Sequence, residues 1–327
     1  MSRKPKNAMA DNTPPRIIFF GTPDFARIIL EHLCTNNLEP IAIVTSPDAP
    51  AGRGRTLTPS AVKVYAQSRT IPVLEPLRLK DEIFLSTVRD LKPDLFVIAS
   101  YGKFLPQTLL DIPPRGTINV HPSLLPQYRG PSPIQTAILN GETTTGVTLM
   151  LTDAEMDHGP ILTHTEWPIA DGIGYIELHD QLADMGGKLL VETLPKWIHG
   201  AITPEEQDHS KATFTKLFTK ADGRIDWQKS AKEIEQQVRA FEIWPTSWTE
   251  FEKDGKKIRI KIISAVATDE PSSALSGTIT QTKNGDLAVC TKHNLLTIKT
   301  LQAEGGKKMG GTSALNGLLK HCLASFH

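Results

Sequence analysis

In Thr117-Ile118-Asn119-Val120-His121 apolar and polar residues alternate, so in a strand Ile118 and Val120 share one face while Asn119 and His121 share the other. An amide donor thus stands beside a titratable ring, and Pro122 ends the regular strand directly after them. Such a pair suits a developing oxyanion, whose charge hydrogen-bond donors stabilise more than they stabilise the neutral carbonyl before it. The residues alone leave a second reading open, a buried Asn and His satisfied by neighbouring backbone. A candidate carboxylate, Asp157, lies downstream in Thr152-Asp153-Ala154-Glu155-Met156-Asp157, where an acid is equally at home as a turn residue or helix cap. His158 and His164 follow, but without HExxH or coherent Cys/His spacing, so no metal is expected.

These groups need a scaffold. Arg16 to Phe20 reads as a buried strand ending at Gly21; Thr22 as N-cap and Pro23 in the first turn then open a helix carrying Phe25, Ile28, Ile29 and Leu33 at helical spacing. Further strands are expected at Ile41 to Thr45, Leu95 to Ala99, Thr117 to His121 and Gly146 to Leu151. Strands alternating with helices imply a Rossmann-like, largely parallel wound sheet, with ligands at the C-terminal strand ends where Asn119 and His121 sit. The turn Gly21-Thr22-Pro23-Asp24-Phe25-Ala26 lacks the second and third glycines of GxGxxG. No GxxxxGK[ST] loop is present, and Glu304-Gly305-Gly306-Lys307-Lys308 has the wrong order, so NAD and ATP are disfavoured.

The composition changes after residue 200. Residues 201–220 are polar and aperiodic and read as a linker. Beyond them stand one helix, Ser230 to Phe241, and short alternating strands at Ile258 to Ile263, Gly277 to Gln281, Leu287 to Cys290 and Leu295 to Thr300. The expected architecture is therefore α/β over 16–200, followed over 221–327 by a small β-barrel, OB-like. In the run from Lys256 to Ile262, period-2 geometry puts Lys257, Arg259 and Lys261 on one face, opposite Ile258, Ile260 and Ile262. Residues 221–327 hold 15 Lys+Arg against 12 Asp+Glu. That face is either a solvated strand surface or a stripe for phosphate contacts, which supply position and affinity without reading sequence.

The 327 residues, 39% hydrophobic and 22% charged, allow two cores and argue against disorder for most of the chain. Equal numbers of basic and acidic residues, 36 each, remove the signature of a DNA-coating protein, so no DNA partner is expected and any nucleic acid must be read by a local patch. Cys34, Cys290 and Cys322 are odd in number and far apart, which fits a reducing compartment. No apolar run approaches bilayer length, so no membrane partner is expected. Residues 1–15 have basic residues but no apolar core of a signal peptide, and read as a disordered tail. The expected location is cytoplasmic, with a mitochondrial address as the alternative.

The run from Asn119 to Gly130, Asn-Val-His-Pro-Ser-Leu-Leu-Pro-Gln-Tyr-Arg-Gly, with Asp157-His158-Gly159-Pro160 downstream, resembles the signature of the folate-dependent formyltransferases. Pro122 and Tyr128 stand where relatives often carry Gly and Trp. The resemblance implies Asn119, His121 and Asp157 as the catalytic set and 10-formyltetrahydrofolate as formyl donor. Asn119 and a protonated His121 would hydrogen-bond the oxyanion, while Asp157 would orient His121 and take the proton of the attacking amine. It further implies that Lys103, Phe104 and Leu105, with Ser123, Leu124, Pro126 and Asp153, line the folate pocket; read alone, Phe104 and Leu105 are equally core residues.

The likeness to tRNA-acting members of the family spans nearly the whole chain. It implies initiator methionyl-tRNA as the formyl acceptor, bound by a monomer. The Pro- and Gly-rich loop Thr45 to Pro59 is too long and irregular for a mere connection, though a flexible excursion remains open. By resemblance its Arg53 enters the acceptor end of the tRNA, Arg55 adds a phosphate contact, and Lys257, Arg259 and Lys261 support the tRNA from the second domain. A formyltransferase acting on a small amine, such as an amino sugar nucleotide or glycinamide ribonucleotide, shares the same catalytic set. A non-catalytic RNA-binding protein on this scaffold is the alternative outside enzymes.

Overall fold

The computed structural model describes residues 14–51, 56–253, 256–317 and 325–326. They form two compact units. The first takes Met1–Pro133, Thr144–Pro168 and His179–Thr215; the second takes Lys216–His327 together with Ile134–Thr143 and Ile169–Leu178. Both inserted stretches are tied into the second unit by polar contacts: Gln135 Nε2 donates to the Trp244 carbonyl at 2.7 Å, Arg239 to the Ile173 carbonyl at 2.7 Å, and the Ile176 N–H to Glu242 at 2.9 Å. The anticipated tail, residues 1–15, lies almost wholly outside the described residues.

The first unit is built on β1 (Ile17–Gly21), β2 (Ala42–Val44), a hairpin of β3 (Ala49–Ala51) and β4 (Thr56–Thr58), β5 (Val73–Leu74), β6 (Leu95–Ala99), β7 (Thr117–His121), β8 (Thr144–Leu151) and β9 (Ile161–Pro168). The main sheet runs β5-β2-β1-β6-β7-β8-β9; β5 through β7 are parallel, and β8 and β9 add antiparallel strands. Strand order reverses between β1 and β6, so a crevice is expected at their C-terminal ends. The wholly buried Ile17–Gly21 reads as a continuous apolar run because helices cover both faces. These helices are α1 (Asp24–Thr35), α2 (Ala61–Ser68), α3 (Glu82–Asp90), α4 (Gln107–Leu110) and α6 (Tyr175–Ile198); α5 (Pro133–Leu139) belongs, but for its first residue, to the second unit. Thr22 does not cap α1. Pro23 holds that position without a side-chain bond, and Thr22 Oγ1 instead donates to Ser46 Oγ at 3.3 Å.

On one face Ile18, Phe20 and Phe96 pack with Phe84, Leu85 and Val88 of α3. On the other, α6 approaches β7 so closely that a Cβ on Gly186 would lie 2.9 Å from Val120 Cγ1 and 3.4 Å from Val147 Cγ1. Glycine inside a helix costs roughly 1 kcal/mol against alanine. Here it lets the helix backbone lie against the strand that carries Asn119 and His121.

The second unit is an antiparallel half-barrel. Its strands are β10 (Ser247–Lys253), β11 (Lys256–Ala267), β12 (Ile279–Gln281), β13 (Leu287–Cys290), β14 (Leu295–Ala303) and β15 (Lys308–Gly310), ordered β10-β11-β14-β13-β12 with β15 on β14. Register shifts around Ser264 mark an irregularity in β11, the kind of bulge that bends a strand and turns a sheet toward a barrel. Helix α7 (Ala231–Ala240) starts in a capping box, Ser230 N–H donating to Glu233 at 2.8 Å, and buries Ile234 and Val238 against Phe251, Ile260, Leu296 and Ile298. Helix α8 (Gly311–Asn316) is the last described helix, and beyond it Ser325 bridges Thr278.

Replacing Gly186 by Val forces a branched side chain into this contact. Overpacking of that kind should destabilise the first unit by about 1–3 kcal/mol, read as a lower urea midpoint. An unchanged midpoint would refute the close helix–strand approach.

Candidate active site

Strand β7 carries Asn119 and His121 to the C-terminal side of the sheet, Asn119 in register with Ile98 of β6 and His121 opposite Thr148 of β8. Between β8 and β9, residues 152–160 bring Asp157 to the same place. Asn119 Nδ2 donates to Asp157 Oδ1 at 3.2 Å, and the Gly130 N–H donates to Asp157 Oδ2 at 2.7 Å. His121 Nδ1 lies 3.6 Å from that second oxygen. The other ring nitrogen, Nε2, is 3.0 Å from the Tyr128 carbonyl. A carbonyl only accepts, so Nε2 carries a hydrogen and Nδ1 is the nitrogen turned toward the carboxylate. The three side chains singled out in the sequence therefore share one site, where His121 is 4% exposed and the Asp157 side chain 15%.

Two residues here hold left-handed backbone without being glycine, Tyr128 at φ +60° and Asp157 at φ +48°. Such conformations cost of order 1–3 kcal/mol and persist where the surroundings over-determine them. The surroundings include the segment expected to be a linker. The Tyr128 N–H donates to Thr213 Oγ1 at 2.8 Å, the Arg129 N–H to the Thr213 carbonyl at 2.9 Å, and the Thr215 N–H to the Arg129 carbonyl at 2.7 Å. Residues 205–215 are thus fixed to the first unit by polar pairing, which leaves no apolar period in the sequence. Gly130, missed by sequence reasoning, sits at φ +109°, and a Cβ there would meet Thr215 Oγ1 at 2.8 Å.

The residues implied for folate divide. Lys103 and Phe104 are exposed on the loop after β6, Phe104 at 66%, and Lys103 Nζ donates to the Pro76 carbonyl. Leu105, in contrast, is buried in the core beside Leu109, because the loop turns inward there. Ser123 is buried too; its hydroxyl donates to the Gln127 carbonyl at 2.7 Å, so it folds its own loop. Leu124 packs over Gly146, the Pro126 carbonyl accepts from the Thr213 N–H, and Asp153 accepts from His158 Nδ1 at 2.7 Å. Tyr101 adjoins the same loop, its hydroxyl unpartnered among the described residues; burial pushes that phenol up to about 12, outside acid–base work near neutrality.

Arg53 and Arg55 lie outside the described residues. The stem of their loop is described. Thr45 Oγ1 and Ser60 Oγ are 2.8 Å apart, and Lys63 donates to Asp48 at 2.7 Å and to Glu75 at 3.0 Å, bonds that hold its ammonium above the usual lysine range. In the second unit Lys257 and Lys261 are exposed, but Arg259 is paired with Glu250 at 3.1 Å and stands 4.3 Å from the Trp248 ring centre. In register, Glu252 faces Lys257 across β10 and β11. The basic face read from β11 alone is therefore partly balanced by its neighbour. Among the described residues no cluster of His, Cys, Asp and Glu suits a metal ion, and no helix is long and apolar enough to cross a membrane.

Comparison with known proteins places this geometry among relatives. Residues 15–194 match the formyl transferase model, and residues 217–319 match the formyl transferase C-terminal domain model. A methionyl-tRNA formyltransferase of Chloroflexus aurantiacus is 42% identical over 303 residues, covering 93% of this chain and 97% of that protein. One from Nitratidesulfovibrio vulgaris is 39% identical over 323 residues, covering 96% of each. Among solved structures, HypX from Aquifex aeolicus in complex with tetrahydrofolic acid aligns with a TM-score of 0.63 at 17% identity, over 94% of this chain and 48% of that one. An N-formyltransferase from Helicobacter canadensis, with folinic acid and dTDP-3-aminofucose, aligns with a TM-score of 0.63 at 18% identity over 90% and 100%. The solved structures share the fold, and the two domain models with the 42%-identical relative establish that this chain belongs to the formyl transferase family.

Proposed function

We propose that the protein transfers the formyl group of 10-formyltetrahydrofolate to the free α-amine of initiator methionyl-tRNA. The observation that carries this reading is the convergence of Asn119, His121 and Asp157 within one site, on a chain whose near full-length relatives are methionyl-tRNA formyltransferases. The donor fits by the chemistry present: Phe104 offers an exposed apolar face on the loop after β6, and Asn119 offers an amide hydrogen to a carbonyl oxygen, with no nucleophile of the protein required.

Asn119 has two amide hydrogens, and one is held by Asp157, leaving the second for the oxygen of the formyl group as the amine adds to its carbon. The new bond joins the amine nitrogen to the formyl carbon, and the bond from that carbon to the folate nitrogen breaks. The amine proton passes to Asp157, directly or through water, and returns to the departing folate nitrogen. His121 was expected to donate to the oxyanion as well, but its Nε2–H is spent on the Tyr128 carbonyl and its Nδ1 is turned to Asp157, so in this arrangement that role rests with Asn119 and His121 orients the carboxylate. Gly130 and Asn119 keep the carboxylate oriented throughout.

A small-amine acceptor shares this chemistry and differs in what must be positioned. The loop carrying Arg53 and Arg55 and the exposed Lys257 and Lys261 favour a polyanionic acceptor, with Arg259 contributing through its packing on Trp248. The protein acts as a monomer in this reading.

Two measurements test it. Asn119→Ala should lower kcat for transfer of labelled formyl to initiator methionyl-tRNA by about 10²–10³-fold, as loss of one oxyanion donor does elsewhere, with KM for both substrates little changed. Near-native turnover in that variant would sink the catalytic assignment. Arg53→Ala should depress formylation of methionyl-tRNA at least tenfold more than uncoupled hydrolysis of the folate, an order-of-magnitude expectation for a group that positions only the acceptor. Equal losses in both reactions, or faster transfer to a small amine than to the tRNA by the unaltered protein, would reject the tRNA reading.

A further inference from the structure

Asp157 is held by its carboxylate, but its backbone is held separately. Gln207 is 5% exposed, and its Nε2 donates to the Asp157 carbonyl at 2.9 Å and to the Gly159 carbonyl at 2.8 Å. Both amide hydrogens are thereby used, one on each side of His158. Gly159 is pressed against β8, where a Cβ would stand 2.0 Å from the Leu151 carbonyl oxygen, so the clamp grips the loop where it has least room. Glu205, two residues before Gln207, exchanges both backbone hydrogen bonds with Ile161, at 2.7 and 2.8 Å, fixing the clamp to the strand that leaves the loop.

Gln207 is oriented in turn by Arg129. Arg129, 4% exposed, donates through Nε and Nη2 to Gln207 Oε1 at 3.2 and 2.7 Å, and through Nη2 to His209 Nδ1 at 2.8 Å. A guanidinium accepts nothing, so Gln207 must present its oxygen to it and its nitrogen to the loop, which fixes the amide's orientation chemically. His209 stacks on His158 with ring centres 4.1 Å apart and planes 4° from parallel, and His158 bonds Asp153. One buried cation thus reaches both ends of the loop that carries Asp157. Its chain neighbours are Tyr128, whose carbonyl accepts from His121, and Gly130, whose N–H binds the Asp157 carboxylate.

We propose that Arg129 and Gln207 are positioning residues for formyl transfer, holding Asp157 in its left-handed conformation so that its carboxylate faces Asn119 and His121. The inference rests on the function proposed above for its kinetic test and on geometry alone for its second test. Two variants separate positioning from packing. Gln207→Met keeps the length of the side chain without donors, and Gln207→Glu keeps an acceptor for Arg129 while losing both donors to the loop.

Both variants should lower kcat for methionyl-tRNA formylation about 10–100-fold, the scale of a misplaced catalytic group, with KM for each substrate within threefold. Amide hydrogen exchange over residues 152–160 should quicken at least about tenfold, while that of residues 117–121 in β7 stays unchanged. Turnover within twofold of the unaltered protein, or exchange that is unchanged over the loop or accelerated in β7 as well, would overturn the assignment. Should the unaltered protein fail to formylate methionyl-tRNA, the functional reading falls, and the exchange comparison still decides whether Gln207 holds the loop.

Discussion

The site depends on delivering one carboxylate to the C-terminal end of β7 from a loop that regular secondary structure does not hold. Strand pairing fixes Asn119 and His121, since β7 is hydrogen-bonded on both sides. Asp157 has no such ladder. Its position is set by two donors to its carboxylate, the Asn119 amide and the Gly130 backbone N–H, and by Gln207 on its carbonyl, acting against a left-handed backbone that an aspartate occupies at a cost. Much of the local architecture, including the close turns at Gly130 and Gly159, can be understood as what keeps that balance favourable.

The strand face that carries Asn119 and His121 was legible because alternation over five residues is a local property, and the helix from Ser230 to Phe241 was legible because its cap and apolar stripe are too. Strand β9 was not anticipated, although its exposure alternates along Ile161–Pro168; the apolar members of that run, Ile161, Leu162 and Trp167, do not themselves alternate. The polar segment after residue 200 read as a linker because its order comes from hydrogen bonds to partners within 126–132 and 157–161, some of them more than eighty positions away, and no period in the segment records them. The same limit affects the basic face of β11. Lys257, Arg259 and Lys261 are visible in their own strand, but the acids opposite the first two, Glu252 and Glu250, belong to β10, which was not anticipated, and register is a property of the pair.

The two faces of the first unit do different work on the site. Behind β7, apolar contact with α6 through Gly186 and Val120 fixes the height of the strand, and the interaction is dense and directionless. In front of it, polar contacts from residues 128–130 and 205–215 fix directions: which imidazole nitrogen faces Asp157, and which way the Gln207 amide points. Packing supplies rigidity and hydrogen bonding supplies orientation, and acyl transfer without a covalent enzyme intermediate needs both, because every catalytic contribution comes from placement.

The choice of partners for Asp157 follows from the same requirement. A guanidinium in direct contact would favour the ionised carboxylate by its charge and so make it a weaker acceptor for the proton of the incoming amine. The nearest arginine in sequence to its partners, Arg129, adjoins Gly130 but directs its donors to Gln207 and His209. Asp157 instead meets two neutral donors and one imidazole nitrogen at 3.6 Å, a distance that leaves that edge of the carboxylate available to an exchanging proton. The buried cation therefore serves the loop's geometry and leaves the carboxylate without a charged guanidinium partner, as the proposed proton transfer requires.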